Sequence, residues 1–139
     1  MSGPAFDNLR RWAPACLAGL FAGSGALHLA RPGLFLPLVP VVLPARDAIV
    51  LASGIAELAC AAGLLMQARW AGLASALLLV AVFPANVAFA IDSATAPSTS
   101  PLLVAAAWAR LPLQAPLIWA ALQARRPRVM SAPPGGRPT

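Results

Sequence analysis

Residues 48–67 read AIVLASGIAELACAAGLLMQ, an unbroken apolar run whose one charged side chain, Glu57, stands near its centre. About 20 such residues form a helix long enough to cross the hydrocarbon of a bilayer. Three more runs of this kind follow from the sequence, at 12–30, 70–90 and 102–122. Over all 139 residues, 60% are hydrophobic and 10% charged, and the mean hydropathy is +0.77. Soluble domains carry roughly 25% charged residues, so this chain cannot coat a water-facing surface. An ordinary cytosolic domain, a disordered chain and a disulfide-stapled secreted domain are excluded. The expectation is an all-α protein: a single transmembrane four-helix bundle over 12–122, flanked by tails at 1–11 and 123–139.

The connections have distinct chemistry. The first tail ends in Arg10-Arg11, and Trp12 sits where tryptophan favours the membrane interface. The first run is too long for the apolar part of a signal peptide, and a cut after Ala30 would place His28 where a small residue is required, so it reads as an uncleaved span. Residues 31–47, RPGLFLPLVPVVLPARD, are apolar but hold Pro32, Pro37, Pro40 and Pro44. Proline at that density blocks a continuous helix, which predicts an interfacial or re-entrant loop. Arg69-Trp70 form a tight turn, DSATAPSTSP (92–101) is turn-forming, and the basic Pro/Gly-rich tail is expected to be disordered.

The 10 arginines set the topology; there is no lysine, four acids, and a net charge of +6. In a soluble protein this excess would suggest nucleic acid. Here the arginines border apolar runs. With four spans, Arg10, Arg11, Arg69, Arg125, Arg126, Arg128 and Arg137 fall on one side and only Arg31 and Arg46 on the other. The positive-inside rule then places both termini in the cytoplasm and the proline loop outside, and nucleic acid is not an expected partner. Small residues at four-residue spacing, Ala15, Gly19 and Gly23 on the first span and Ala52, Ala56 and Cys60 on the second, predict close helix contact.

Glu57 and Arg110 are the only acid and base inside apolar spans. At ~1.5 Å rise per residue, Glu57 lies ~13 Å below Ala48 and Arg110 ~12 Å below Leu102, so their depths match. An unpaired charge there costs at least ~2.5–3.5 kcal/mol, which predicts an ion pair. Ser53 stands one turn from Glu57 and Gln114 one turn from Arg110. Ser24 and His28 share a face of the first span, and Asn86 lies just inside the third. Pro84, Pro112 and Pro116 free the carbonyls of Val80, Trp108 and Pro112, which need a neighbour or water in lipid. Ser24, His28, Ser53, Glu57, Asn86, Arg110 and Gln114 are therefore the candidate lining of an outward-opening polar pocket; the alternative is that the charges only fix the packing register. His28 is the single histidine, which excludes a bis-histidine haem site within one chain, and no metal site is expected. Cys16 and Cys60 have neither CxxC nor zinc spacing. Trp12, Trp70 and Trp119 read as interfacial anchors, and Trp108 as a residue near the pocket.

These residues carry a resemblance. GSGALHLARPGLFLPLVPVVLP, SGIAELACAAGLLMQARW, FPANVAFA and RLPLQAPLIWA, spread over Gly19–Ala121, resemble the DoxX-like family of small bacterial four-helix membrane proteins. The likeness rests on His28 with Pro32, Val39-Pro40, Leu43-Pro44, Ser53-Gly54 with Glu57, Phe83-Pro84-Ala85-Asn86 and Arg110-Leu111-Pro112-Leu113-Gln114. The family takes its name from a membrane subunit of a thiosulfate:quinone oxidoreductase; other members are linked to oxidative-stress complexes or to membrane-protein assembly. The resemblance implies a multi-pass protein of the bacterial plasma membrane and a quinone or small anion as ligand. It also implies a membrane or periplasmic redox protein as partner, with self-association as a further expectation. The competing expectation is a non-catalytic assembly or interaction module.

Overall fold

The computed structural model describes residues 3–124; most of the tail expected to be disordered lies outside that range. Four helices account for most of it: α1 (Pro4–Ala30), α2 (Arg46–Leu65), α3 (Ala71–Thr95) and α4 (Pro101–Gln123). Each is long and apolar enough to cross a membrane. The chain is a multi-pass membrane protein with a four-helix bundle.

Two helices run further than the sequence suggests. α1 begins eight residues before Trp12, because Pro4 stands in its first turn, where its fixed φ is already helical, and Asp7 complements the positive end of the dipole. Arg10 Nε then donates to Gln123 Oε1 at 3.1 Å, joining the terminal ends of α1 and α4, and Phe6 packs on Trp119 at a centroid distance of 6.1 Å. α3 absorbs residues 91–95, four of them (92–95) from the stretch expected to turn. Ser93 and Thr95 return their hydroxyls to helix carbonyls, so polarity does not break the helix. Ala96, extended ahead of Pro97, ends it.

The α2–α3 turn is tight. Gln67 adopts a left-handed φ of 56°; its N–H reaches the Leu64 carbonyl at 3.2 Å, and the N–H of Ala68 reaches that of Gly63 at 2.8 Å. This double bond pattern closes a helix with the left-handed residue usually supplied by glycine. Trp70 lies over Gly63, where an added Cβ would stand 2.7 Å from its ring.

α1 packs most extensively on α2 and α3 on α4, while the α1–α4 and α2–α3 contacts are slighter. The apolar core gathers in the half of the bundle that carries the termini. It consists of Ala13, Leu17, Ala18 and Phe21 of α1, Cys60, Ala61 and Leu64 of α2, Ala71, Ala76 and Leu79 of α3, and Ala120 and Ala121 of α4. Large apolar side chains face outward instead, among them Leu65, Leu77 and Leu102. Lipid is as apolar as a protein core, so it accepts these side chains where water would not.

Candidate functional site

The site begins with two glycines. α1 and α2 cross backbone to backbone at Gly25 and Gly54: a Cβ on Gly25 would lie 2.7 Å from the Gly54 carbonyl oxygen, and one on Gly54 2.6 Å from His28 Cβ. The stripe expected to make this contact does not. Ala15, Gly19 and Gly23 are exposed, and Gly19 and Gly23 have open space where a Cβ would stand. On α2, Ala52 is exposed and Ala56 half-buried, although Cys60 is buried. Small residues at helical spacing permit close approach on any face; the face actually used is the one that also buries His28.

That crossing sets His28 opposite Glu57. His28 Nδ1 lies 2.8 Å from the Ser24 carbonyl oxygen, so Nδ1 carries a proton and donates it. The same nitrogen is 3.5 Å from Glu57 Oε2. This is the one contact of ion-pair distance among the described residues, and it corrects the expected Glu57–Arg110 pair. Arg110 stands across the hollow on α4, exposed. The hollow keeps the helices of Glu57 and Arg110 apart, and the shorter reach across the glycine crossing brings histidine to Glu57 instead. Glu57 Oε2 is buried with no hydrogen-bond partner.

The proline loop closes over this group. Residues 31–45 fold into two short 3-10 turns, Pro32–Leu34 and Leu36–Leu38, which lay the Phe35 ring on the His28 imidazole at a centroid distance of 3.6 Å and a tilt of 21°. Arg46, at the start of α2, pins the loop: Nε donates to the Val39 carbonyl at 3.1 Å, and Nη2 donates to that of Leu36. The chain enters α2 through Ala45 in the left-handed region at φ 53°, so the loop turns back over the bundle instead of leaving it.

From the other helix pair, Gln114 is buried and its amide donates to the Leu79 carbonyl of α3. Leu79 neighbours Val80, whose carbonyl loses its helical donor at Pro84. All seven residues singled out from the sequence, Ser24, His28, Ser53, Glu57, Asn86, Arg110 and Gln114, line one cavity of about 660 Å³. The rest of its wall is mostly aliphatic, with Phe35, Leu38 and Val39 of the loop on one side and Leu17, Leu113 and Leu117 toward the apolar half. Trp108 does not join it; its side chain is exposed. The cysteines are free, Cys16 exposed and Cys60 buried.

Phe35, Arg46 and the Gly25/Gly54 crossing escaped the sequence reading. Arg46 reads from sequence only as a topology residue, and Phe35, the one aromatic of residues 31–47, carries no sign there of what it stacks on. The crossing did leave a signal: SGALH (24–28) and SGIAE (53–57) repeat one pattern, Ser-Gly followed three residues later by the ionisable side chain.

A family model described as "Domain of unknown function (DUF8561)" matches residues 17–125. The chain belongs to that family. The matched region starts at the first fully buried leucine of α1 and takes in the loop, the glycine crossing and every residue of the cavity group. No curated protein and no solved structure matches the chain.

Proposed function

We propose that this chain is a DoxX-like accessory subunit of an oxidoreductase complex in the bacterial inner membrane, with an outward-facing polar pocket for a quinone or a small anion. One observation carries the reading: seven polar residues scattered over four helices meet in a single cavity. Polar side chains inside a membrane domain are costly unless paired or facing water, and a set that only fixed packing would be expected to pair internally. Here Glu57 Oε2, although 3.5 Å from His28 Nδ1, accepts no hydrogen bond, and Arg110 bonds to none of the described residues.

The donor set suits a quinone. Arg110 offers a guanidinium to an oxygen of the head, and His28, whose Nδ1 is held by the Ser24 carbonyl, presents Nε2. Glu57 is placed to exchange protons with the occupant, and His28, stacked under the loop, to pass them toward the outer surface. Bound there, a quinone supplies two-electron, two-proton redox chemistry. In this reading the electrons come from a separate redox protein.

The test is quinone reduction in native membranes carrying Arg110→Gln at equal protein level. Loss of activity supports the assignment, and unchanged activity refutes it. The alternative, an assembly module, draws on the loop tip, where Val41 and Val42 are 81% and 84% exposed. A membrane partner that copurifies with Arg110→Gln but is lost when both valines become serine would favour that reading.

A further inference from the structure

A second space adjoins the cavity. A groove of about 460 Å³ runs along the α1–α4 seam, walled by Phe6, Leu9, Trp12, Cys16 and Trp119. Leu17 and Leu20 of α1 and Pro116 and Leu117 of α4 line both the groove and the cavity. The two spaces are therefore neighbours, with these four residues between them. Leu20 is 58% exposed, so the boundary lies open on the flank of the bundle, where lipid reaches it. Along α1, His28 is ~16 Å from Leu17, and Leu17 a further ~16 Å from Phe6.

The polar end sets the other half of the requirement. Arg110 and Glu57 oppose each other in charge, so a charged head meets repulsion from one of them while a neutral head meets none. Glu57 Oε2 lacks a donor, whereas Arg110 lacks an acceptor among the described residues. A hydroxyl-bearing head serves both. We infer that the occupant is a neutral single-tailed amphiphile, with its hydroxyl or carbonyl head between Glu57 and Arg110 and its tail in the α1–α4 groove, and that it enters sideways from the bilayer past Leu20 and Pro116. The inference rests on the pocket being a ligand site. It replaces the small anion with a tailed molecule, either an isoprenoid quinol or a monoacyl lipid.

Tail burial gains little over bilayer lipid, since both media are apolar, so the test reads position instead of affinity. The full chain in phosphatidylcholine nanodiscs is photolabelled with three probes: a decyl benzoquinol with a diazirine at the tail end, a monoacylglycerol with the same tail, and a tail-less benzoquinol carrying the diazirine on its ring. The tailed probes should label Leu9, Trp12 and Cys16 about tenfold above Leu65 and Leu77 on the lipid-facing surface, a difference equivalent to ~1.4 kcal/mol. The stronger of the two arms identifies the head. Arg110→Gln should bring seam labelling down to the surface level. Alkylation of the native Cys16 thiol, which lines the groove and not the cavity, should remove seam labelling and leave tail-less labelling of the cavity intact. If the tail-less probe labels the cavity while tailed probes label the seam no more than the outer surface, the lateral route is wrong and the pocket stands. If no probe labels the cavity, both fall.

Discussion

The two halves of this bundle are built on opposite principles. Toward the termini the four helices close on alanine, leucine and phenylalanine, sealed by Arg10–Gln123 and Phe6–Trp119. Toward the proline loop the same helices part around a hollow, where seven polar side chains stand among aliphatic ones. The difference arises within single helices. α1 contributes Leu17 and Phe21 to the packed half and Ser24 and His28 to the hollow one, and α3 contributes Leu79 and then Asn86. In lipid, helices gain little from merely hiding apolar surface against each other, so separating them over part of their length is inexpensive when polar groups and a covering loop occupy the gap. What must remain tight is the α1–α2 crossing, since it alone sets His28 against Glu57.

Substitutions should separate the halves, and the largest effect belongs to that crossing. Gly54→Ala places a methyl 2.6 Å from His28 Cβ and is expected to cost about 3 kcal/mol, the upper range for overpacking, seen as a lowered midpoint of thermal unfolding in detergent. Gly19→Ala, on the same bundle but facing open space, should be neutral or stabilise by about 0.5 kcal/mol through helix propensity. Equal losses at both positions would mean that the crossing lies elsewhere.

Next comes the lid of the hollow half. Arg46→Ala removes two charge-assisted bonds to Leu36 and Val39 and should cost about 2 kcal/mol. Hydrogen exchange should accelerate over residues 34–43 and remain slow over the packed half. A change spread evenly along the chain would contradict the division.

The packed half yields a smaller gain. Ser75 is fully buried there and its hydroxyl has no partner, so Ser75→Ala should stabilise by about 1 kcal/mol. Gln114→Leu, which loses a bonded amide, should destabilise instead. The smallest effect lies at the α2–α3 turn, where Gln67→Gly relieves a left-handed φ and should raise stability by about 0.5 kcal/mol, readable as a rise in the unfolding midpoint.

How far these features could be read beforehand follows from the physics of helices in lipid. Each span was legible because its medium imposes composition, and the prolines of 31–47 announced a loop. The polar residues marked the cavity because they are expensive in hydrocarbon, which is why all seven converged. Which way a helix turns was not legible, since apolar residues occur on every face. The Gly19/Gly23 stripe and the Gly25 face look alike in composition, and only the backbone crossing distinguishes them. Depth placed Glu57 level with Arg110, but depth carries no information on lateral separation. Phe35 was hidden for a similar reason: its role depends on how two 3-10 turns fold back, which proline content alone does not specify.

The central claim is that His28 and Glu57 face each other across the α1–α2 crossing, and the sequence offers an unusually clean probe of it. The chain has one histidine and one glutamate, so ring-¹⁵N histidine and side-chain-¹³C glutamate, introduced by cell-free synthesis, define a single spin pair. Solid-state dipolar recoupling in lipid bilayers should show strong dephasing between His28 Nδ1 and the Glu57 carboxyl carbon, consistent with a nitrogen-to-oxygen distance of 3.5 Å. Absence of dephasing in a folded sample would contradict the crossing, the cavity built on it and the function proposed from it.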